Sequence, residues 1–211
     1  MNIYIETNFV LELVFEQEQY TSCEQILALG ESGRLHLIIP AYCLAEPHEK
    51  LMRQAGSRRE LQRNLETELR QLARTASYNA RISSIQDIAS LLVRSTEEEK
   101  QRFIRYRDRL LGIAEIIPLT VDILREAATH ESPYDLTPQD ALVYTSVITH
   151  LRQNNPPISC FLNRNSKDFD NPDIVDELDR NNCRMIPRFD HVMPSFKHDY
   201  SPEHWQSNNR L

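Results

Sequence analysis

The sequence predicts an α/β fold of three layers, with helices on both sides of a central, mainly parallel sheet. Short apolar runs alternate with longer amphipathic ones, which is the pattern of strands joined by helices. Helix-start signals follow several of the short runs directly. With 40% apolar residues and only four glycines in 211 residues, the chain reads as ordered and globular rather than linker-rich.

Asn2 to Ile5 forms the first strand, and from Thr7 the apolar residues Phe9, Val10, Leu13 and Val14 recur at helical spacing. Thr21 is placed to cap a second short helix ending near Gly30 and Gly33. Leu35 to Ile39 is the second strand, followed by a helix from about Ala41 to Ala55 that Gly56 is expected to break. From Arg58 to about Leu111 the pattern is helical, with turns expected at Tyr78 to Ser84 and at Ser95-Thr96. This stretch, about 56–112, reads as a helical insertion. Ala114 to Leu119 is the third strand, and Thr120 caps a helix running through Thr129. Thr137-Pro138-Gln139-Asp140 carries a Thr cap, a Pro in the first position and an acid three residues after the cap, so a helix to about Arg152 follows. Ile158 to Leu162 is the fourth strand, Asn171-Pro172 opens a helix to about Arg180, and Arg184 to Ile186 is the fifth strand. One domain is expected over 1–190, with a polar C-terminal tail over 191–211.

Several classes of chemistry are excluded by motif. Cys23, Cys43, Cys160 and Cys183 show no CxxC spacing, and the seven histidines form no HxxxH pair, so zinc and dithiol motifs are absent. The isolated glycines cannot build a phosphate loop, and no GxSxG elbow occurs. No apolar run reaches the length of a membrane span, and Glu6 interrupts any secretory signal, so a cytoplasmic location is expected and no membrane partner. A phosphoacceptor site would need an Asp ending the third strand, where Leu119-Thr120 stands.

The net charge is −7, but it is unevenly distributed. Arg53 to Arg109 holds thirteen Lys/Arg against eight Asp/Glu, a basic segment inside an acidic body. Within it Arg59, Arg63, Arg70, Arg74 and Arg81 share one helical stripe opposite Leu61, Leu65, Leu69 and Leu72, a face able to grip a phosphate backbone or to stand solvated with pairs such as Glu66–Arg70. The insertion could equally serve as a dimer interface or a partner-binding clamp.

In a parallel sheet, ligands gather beyond the carboxyl ends of the strands. Glu6 follows the first strand, Glu46 lies early in the helix after the second, Asp140 opens the helix before the fourth, and Asn165 and Asp168 follow the fourth. Four chain segments thus direct hard oxygen donors to one sheet edge, the ligand type that Mg²⁺ and Mn²⁺ require.

These residues carry a resemblance. Ile3-Tyr4-Ile5-Glu6-Thr7-Asn8 resembles the opening of PIN-domain proteins, a hydrophobic strand followed by Asp-Thr-Asn. Glu46 in Cys43-Leu44-Ala45-Glu46 matches that family's second acid, and Asp140 in Asp140-Ala141-Leu142 its third. Phe161-Leu162-Asn163-Arg164-Asn165 followed by Lys167-Asp168-Phe169 resembles its last motif. The match covers residues 1 to about 55 and 113 to about 187. It departs from the family at Glu6, one carbon longer than the usual Asp and so reaching roughly 1.5 Å further, and at Asn165, which lacks a charge.

The resemblance implies a PIN-like domain and a metal-dependent endoribonuclease. It would use Mg²⁺ or Mn²⁺ held by Glu6, Glu46, Asp140, Asn165 and Asp168, with Thr7, Asn8 and Asn163 in support. It further implies an RNA substrate, a toxin-like role with an antitoxin-like protein partner, and, as the alternative, a catalytically weak PIN fold that binds RNA or protein.

Overall fold

Five strands pair in parallel in the order β3-β2-β1-β4-β5: β1 Asn2–Ile5, β2 His36–Pro40, β3 Glu115–Ile117, β4 Ser159–Leu162 and β5 Cys183–Ile186. The computed structural model describes residues 1–164 and 169–192, and for residues 79–87 and 89 the backbone alone. β1 lies at the centre, with Ile3 opposite Leu37 of β2 and Cys160 of β4. Ile3, Tyr4 and Ile5 are fully buried, as are Cys160, Phe161 and Leu162. These near-continuous apolar runs are what a parallel sheet covered on both faces demands.

The helices are α1 Thr7–Phe15, α2 Tyr20–Glu31, α3 Ala41–Leu72, α4 Ala76–Ile113, α5 Val121–Tyr134, α6 Pro138–Asn154 and α7 Pro172–Arg180. α1 to α4 pack on one another, and α5 packs on α6, whose Tyr144 reaches Glu177 of α7. The chain steps outward from β1 to β3 and returns across the sheet to β4; with the right-handed crossovers that parallel sheets adopt, the two groups fall on opposite faces, giving the three-layer α/β/α architecture expected. No helix among the described residues is long and apolar enough to cross a membrane.

The caps read from the sequence at Thr120 and Thr137 are present, each hydroxyl oxygen accepting the backbone N–H three residues on; the last helix is capped by Asn171, whose side-chain oxygen accepts the Asp173 N–H. Elsewhere tertiary packing overrides local signals. α3 does not end at Gly56 but continues to Leu72. A mid-helix glycine costs only about 1 kcal/mol relative to Ala, and the packing of α3 against α4 offsets it. Ala55 and Leu69 are buried on either side of Gly56, and Arg58 makes a two-bond pair with Glu99, at 2.6 and 3.0 Å. The turns expected at Tyr78 to Ser84 and at Ser95-Thr96 are helical, within α4, and the hairpin turns instead at residues 73–75. α5 runs past Thr129 to Tyr134. α2 starts at Tyr20 without a side-chain cap from Thr21 or Gln19. Gln19 is committed elsewhere, accepting from the Phe189 N–H at 2.6 Å. That contact fixes the chain after β5, where Phe189 packs edge-on against Phe9 and Val192 is buried.

Candidate active site

α1, α3 and α6 all begin at the carboxyl edge of the sheet, and a cleft of about 370 Å³ opens between their first turns. Glu6, Thr7 and Asn8 of the β1–α1 junction line it, together with Tyr42 and Glu46 of α3 and Thr137 and Asp140 of α6. Three acids more than thirty residues apart in sequence therefore share one cavity. The topology causes this: β1 and β2 are neighbours, so the helices leaving their ends start side by side, and α6 returns across the same edge towards β4.

Glu6 is 5% exposed and is the N-cap of α1; its Oε2 accepts the Asn8 N–H at 2.7 Å. Its Oε1 accepts the backbone N–H of Arg164 at 3.4 Å, which ties the end of β4 to the end of β1. Burial pushes the Glu6 carboxyl up to about 7; the Asn8 and Arg164 amides oppose the rise and the nearby Glu46 adds to it. Thr7 donates its hydroxyl to Glu46 Oε2, so the residue after the first acid orients the second. Asp140 is held at the start of α6 by the Thr137 hydroxyl, which also accepts the Asp140 N–H at 3.2 Å. Tyr42 also lines the cleft, its hydroxyl pushed up to about 12 by burial and by Glu46.

The donors are hard oxygens, with neither His nor Cys in the lining, which fits Mg²⁺ or Mn²⁺ rather than zinc or copper. Among the described residues no three His, Cys, Asp or Glu side chains are close enough to chelate one ion together. Mg²⁺ does not require such a cage: it keeps several waters and uses one or two carboxylates plus substrate phosphate. The donor set fits a hydrated ion of that kind.

Of the other candidates, Asn163 is fully buried at the end of β4, its backbone N–H donating to Ile186, and it does not line the cleft. Asn165 and Asp168 lie outside the described residues, as does the side chain of Arg81. Arg59, Arg63 and Arg70 sit further along α3 and Arg74 in the turn after it, and none of them lines the cleft. Arg59 and Arg63 bond carbonyls of their own helix, and Arg70 pairs with Glu66 at 3.5 Å.

Glu49, Lys50, Arg53 and Gln139 complete the polar lining, and Leu11 and Val143 form its apolar wall; none of them stands out in the sequence as a site residue. A signal exists for three of these: residues 46, 49, 50 and 53 fall within one third of the helical circumference. Glu12 is equally inconspicuous in sequence. It is 1% exposed, pairs with the Arg164 guanidinium and accepts the Gln19 N–H at 2.8 Å, anchoring the same chain segment whose amide reaches Glu6.

A PIN domain family model matches residues 3–169. A search of curated proteins finds no match. Among solved structures, the chain is similar to one of VapBC2 from Rickettsia felis bound to a DNA fragment from their promoter. The identity is 13% over 88% of this chain and 98% of that one, with a TM-score of 0.43. The family match spans most of the 211 residues, from the first strand to the segment after the fourth, and the chain belongs to the PIN domain family.

Proposed function

We propose that this chain is a Mg²⁺- or Mn²⁺-dependent endoribonuclease acting on single-stranded or loop RNA. The observation that carries the reading is the sharing of one cleft by Glu6, Glu46 and Asp140, delivered from three different elements to the carboxyl edge of the sheet. Glu6, Glu46 and Asp140 would hold the hydrated ion, in part through its waters, with Asn165 and Asp168 as further donors after β4. A bound divalent ion supplies activation of a water and charge neutralisation at the phosphate. The chain's own part is positioning. Thr7 fixes the Glu46 carboxylate, Thr137 fixes Asp140, and the Asn8 and Arg164 amides fix the two oxygens of Glu6. Leu11 and Val143 keep one wall of the cleft apolar and so limit bulk water beside the acids.

The test is cleavage of single-stranded RNA in Mg²⁺ or Mn²⁺ by the natural chain, Glu6→Gln and Asp140→Asn. Loss of even an outer partner of a metal site costs 10–100-fold, so each ligand substitution is expected to slow cleavage by about 100-fold or more. Equal rates in all three proteins would refute the reading. A toxin-like role with an antitoxin-like partner extends the same proposal; co-purification with a small protein encoded beside it is the check.

One observation favours a second reading, a PIN fold that binds RNA or protein with little turnover. The first acid is Glu6, and no three carboxylates converge within chelating reach among the described residues. RNA binding without metal-dependent cleavage would establish that reading instead.

A further inference from the structure

We infer that Lys50 and Arg53 form the phosphate grip of the cleft, holding the RNA backbone beside the cleaved bond. This rests on the nuclease reading above and adds to it the residues that hold the substrate strand.

Both side chains line the same cavity as Glu6, Glu46 and Asp140. They stand four and seven residues after Glu46 on α3, so they project from the same helix face, about one and two turns further from the acids. Among the described residues neither forms an ion pair, although Glu46 and Glu49 lie in the same cavity. Lys50 Nζ instead rests 6.0 Å from the centre of the Phe15 ring, a contact that leaves its ammonium protons free for an anion. Arg34, Arg59, Arg63, Arg74 and Arg180 also form no ion pair among the described residues, but they do not line the cleft; other arginines are held by acids. Arg58, Arg102, Arg109, Arg152 and Arg164 each pair with at least one Glu.

Charge gives the cations a second reason to be there. The cavity lining holds the carboxylates of Glu6, Glu46, Glu49 and Asp140 against Lys50 and Arg53, a formal excess of two negative charges. A phosphodiester would be repelled from such a site. One divalent ion cancels the excess, and the two cations then present positive groups at the cleft that no ion pair among the described residues compensates. The stripe arginines Arg59, Arg63 and Arg70 lie roughly 9, 15 and 25 Å beyond Arg53 along the helix axis, and none of them lines the cleft.

The experiment measures binding of a fluorescent single-stranded oligoribonucleotide at several salt concentrations. Ca²⁺ replaces Mg²⁺ to suppress cleavage, since its looser coordination positions an attacking water poorly while the cleft keeps all its carboxylates and a divalent ion. For a single strand, each phosphate that is no longer neutralised lowers the slope of log affinity against log salt by about 0.7. Lys50→Ala and Arg53→Ala are each expected to lower the slope by that amount. Lys50→Arg and Arg53→Lys are expected to restore it, as a charge-dependent contact requires. Arg63→Ala with Arg70→Ala is expected to leave the slope unchanged. Binding by the natural chain with a slope that neither alanine substitution alters overturns the grip while sparing the nuclease reading. Absence of any RNA binding overturns both.

Discussion

Thr7→Val isolates the contact that aims the second acid. Valine matches threonine in shape, so the start of α1 keeps its packing, but the hydroxyl that donates to Glu46 Oε2 is removed. A hydrogen bond to a charged group contributes about 1.5–3 kcal/mol. Thr7 is 7% exposed, whereas Glu46 is only partly buried and regains water when the hydroxyl is removed, so the lower end, about 1.5 kcal/mol, applies. If Glu46 must be aimed for cleavage, that loss is about tenfold in rate. In stability the loss is smaller, because the freed carboxylate is hydrated; a drop of about 1 kcal/mol would lower Tm by about 2–4 °C for a chain of this size. The assay is single-turnover RNA cleavage in Mg²⁺ alongside a thermal melt, with Thr7→Ser as the variant that keeps the hydroxyl. Unchanged cleavage in Thr7→Val, or equal loss in Thr7→Ser, would refute the claim that this hydroxyl positions Glu46.

Glu12→Gln keeps an oxygen for the Gln19 N–H but removes the buried charge facing Arg164, which retains Glu18 at 2.9 Å. Breaking a fully buried pair costs about 3–5 kcal/mol, and the partial exposure of Arg164 brings the expected loss to about 2 kcal/mol in urea unfolding; a loss under about 0.5 kcal/mol would contradict the burial argument. For Gly30→Ala, the added methyl would meet Leu37 Cγ and Cδ1 at 2.9 and 2.7 Å. The helix-propensity gain of about 1 kcal/mol is therefore expected to be outweighed by overpacking of about 1–3 kcal/mol, and a raised Tm would show that Leu37 yields. Glu177 is pushed up by burial but pulled further down by the Tyr144 hydroxyl and by Arg152, so its carboxyl ends below the usual range. The folded state then holds fewer protons than the unfolded one as acid is added. Glu177 thus stabilises the fold above the ordinary carboxylate pKa and loses this contribution as pH falls through its folded value. Glu177→Gln is expected to flatten the acid limb of a Tm-against-pH curve; an unchanged acid limb would contradict this.

The sheet and its covering helices were legible because strand and helix periods differ and caps are local. The runs at Ile3 to Ile5 and Cys160 to Leu162, and the caps at Thr120, Thr137 and Asn171, depend on neighbours in sequence. The continuity of α3 through Gly56 was not legible, because it rests on Arg58 meeting Glu99, forty-one residues away. At the site, Glu6, Glu46 and Asp140 could be placed at one edge from their positions beside the ends of the predicted strands. The cations could not, because Lys50 and Arg53 belong to the cleft only once α3 is known to run along it. The arginine stripe is conspicuous in the sequence, while the cleft's own cations are two residues in an ordinary helical turn. The hydroxyl of Thr7 reads as a helix-start residue in the sequence; its reach to Glu46 appears only in three dimensions.

The most direct measurement is an anomalous difference map from a crystal soaked in Mn²⁺. A manganese peak is expected inside the cleft, bounded by the carboxylates of Glu6, Glu46 and Asp140 and absent from crystals of Asp140→Asn. A fully ordered cleft without a peak, or manganese bound only elsewhere, would contradict a metal-dependent site at this sheet edge.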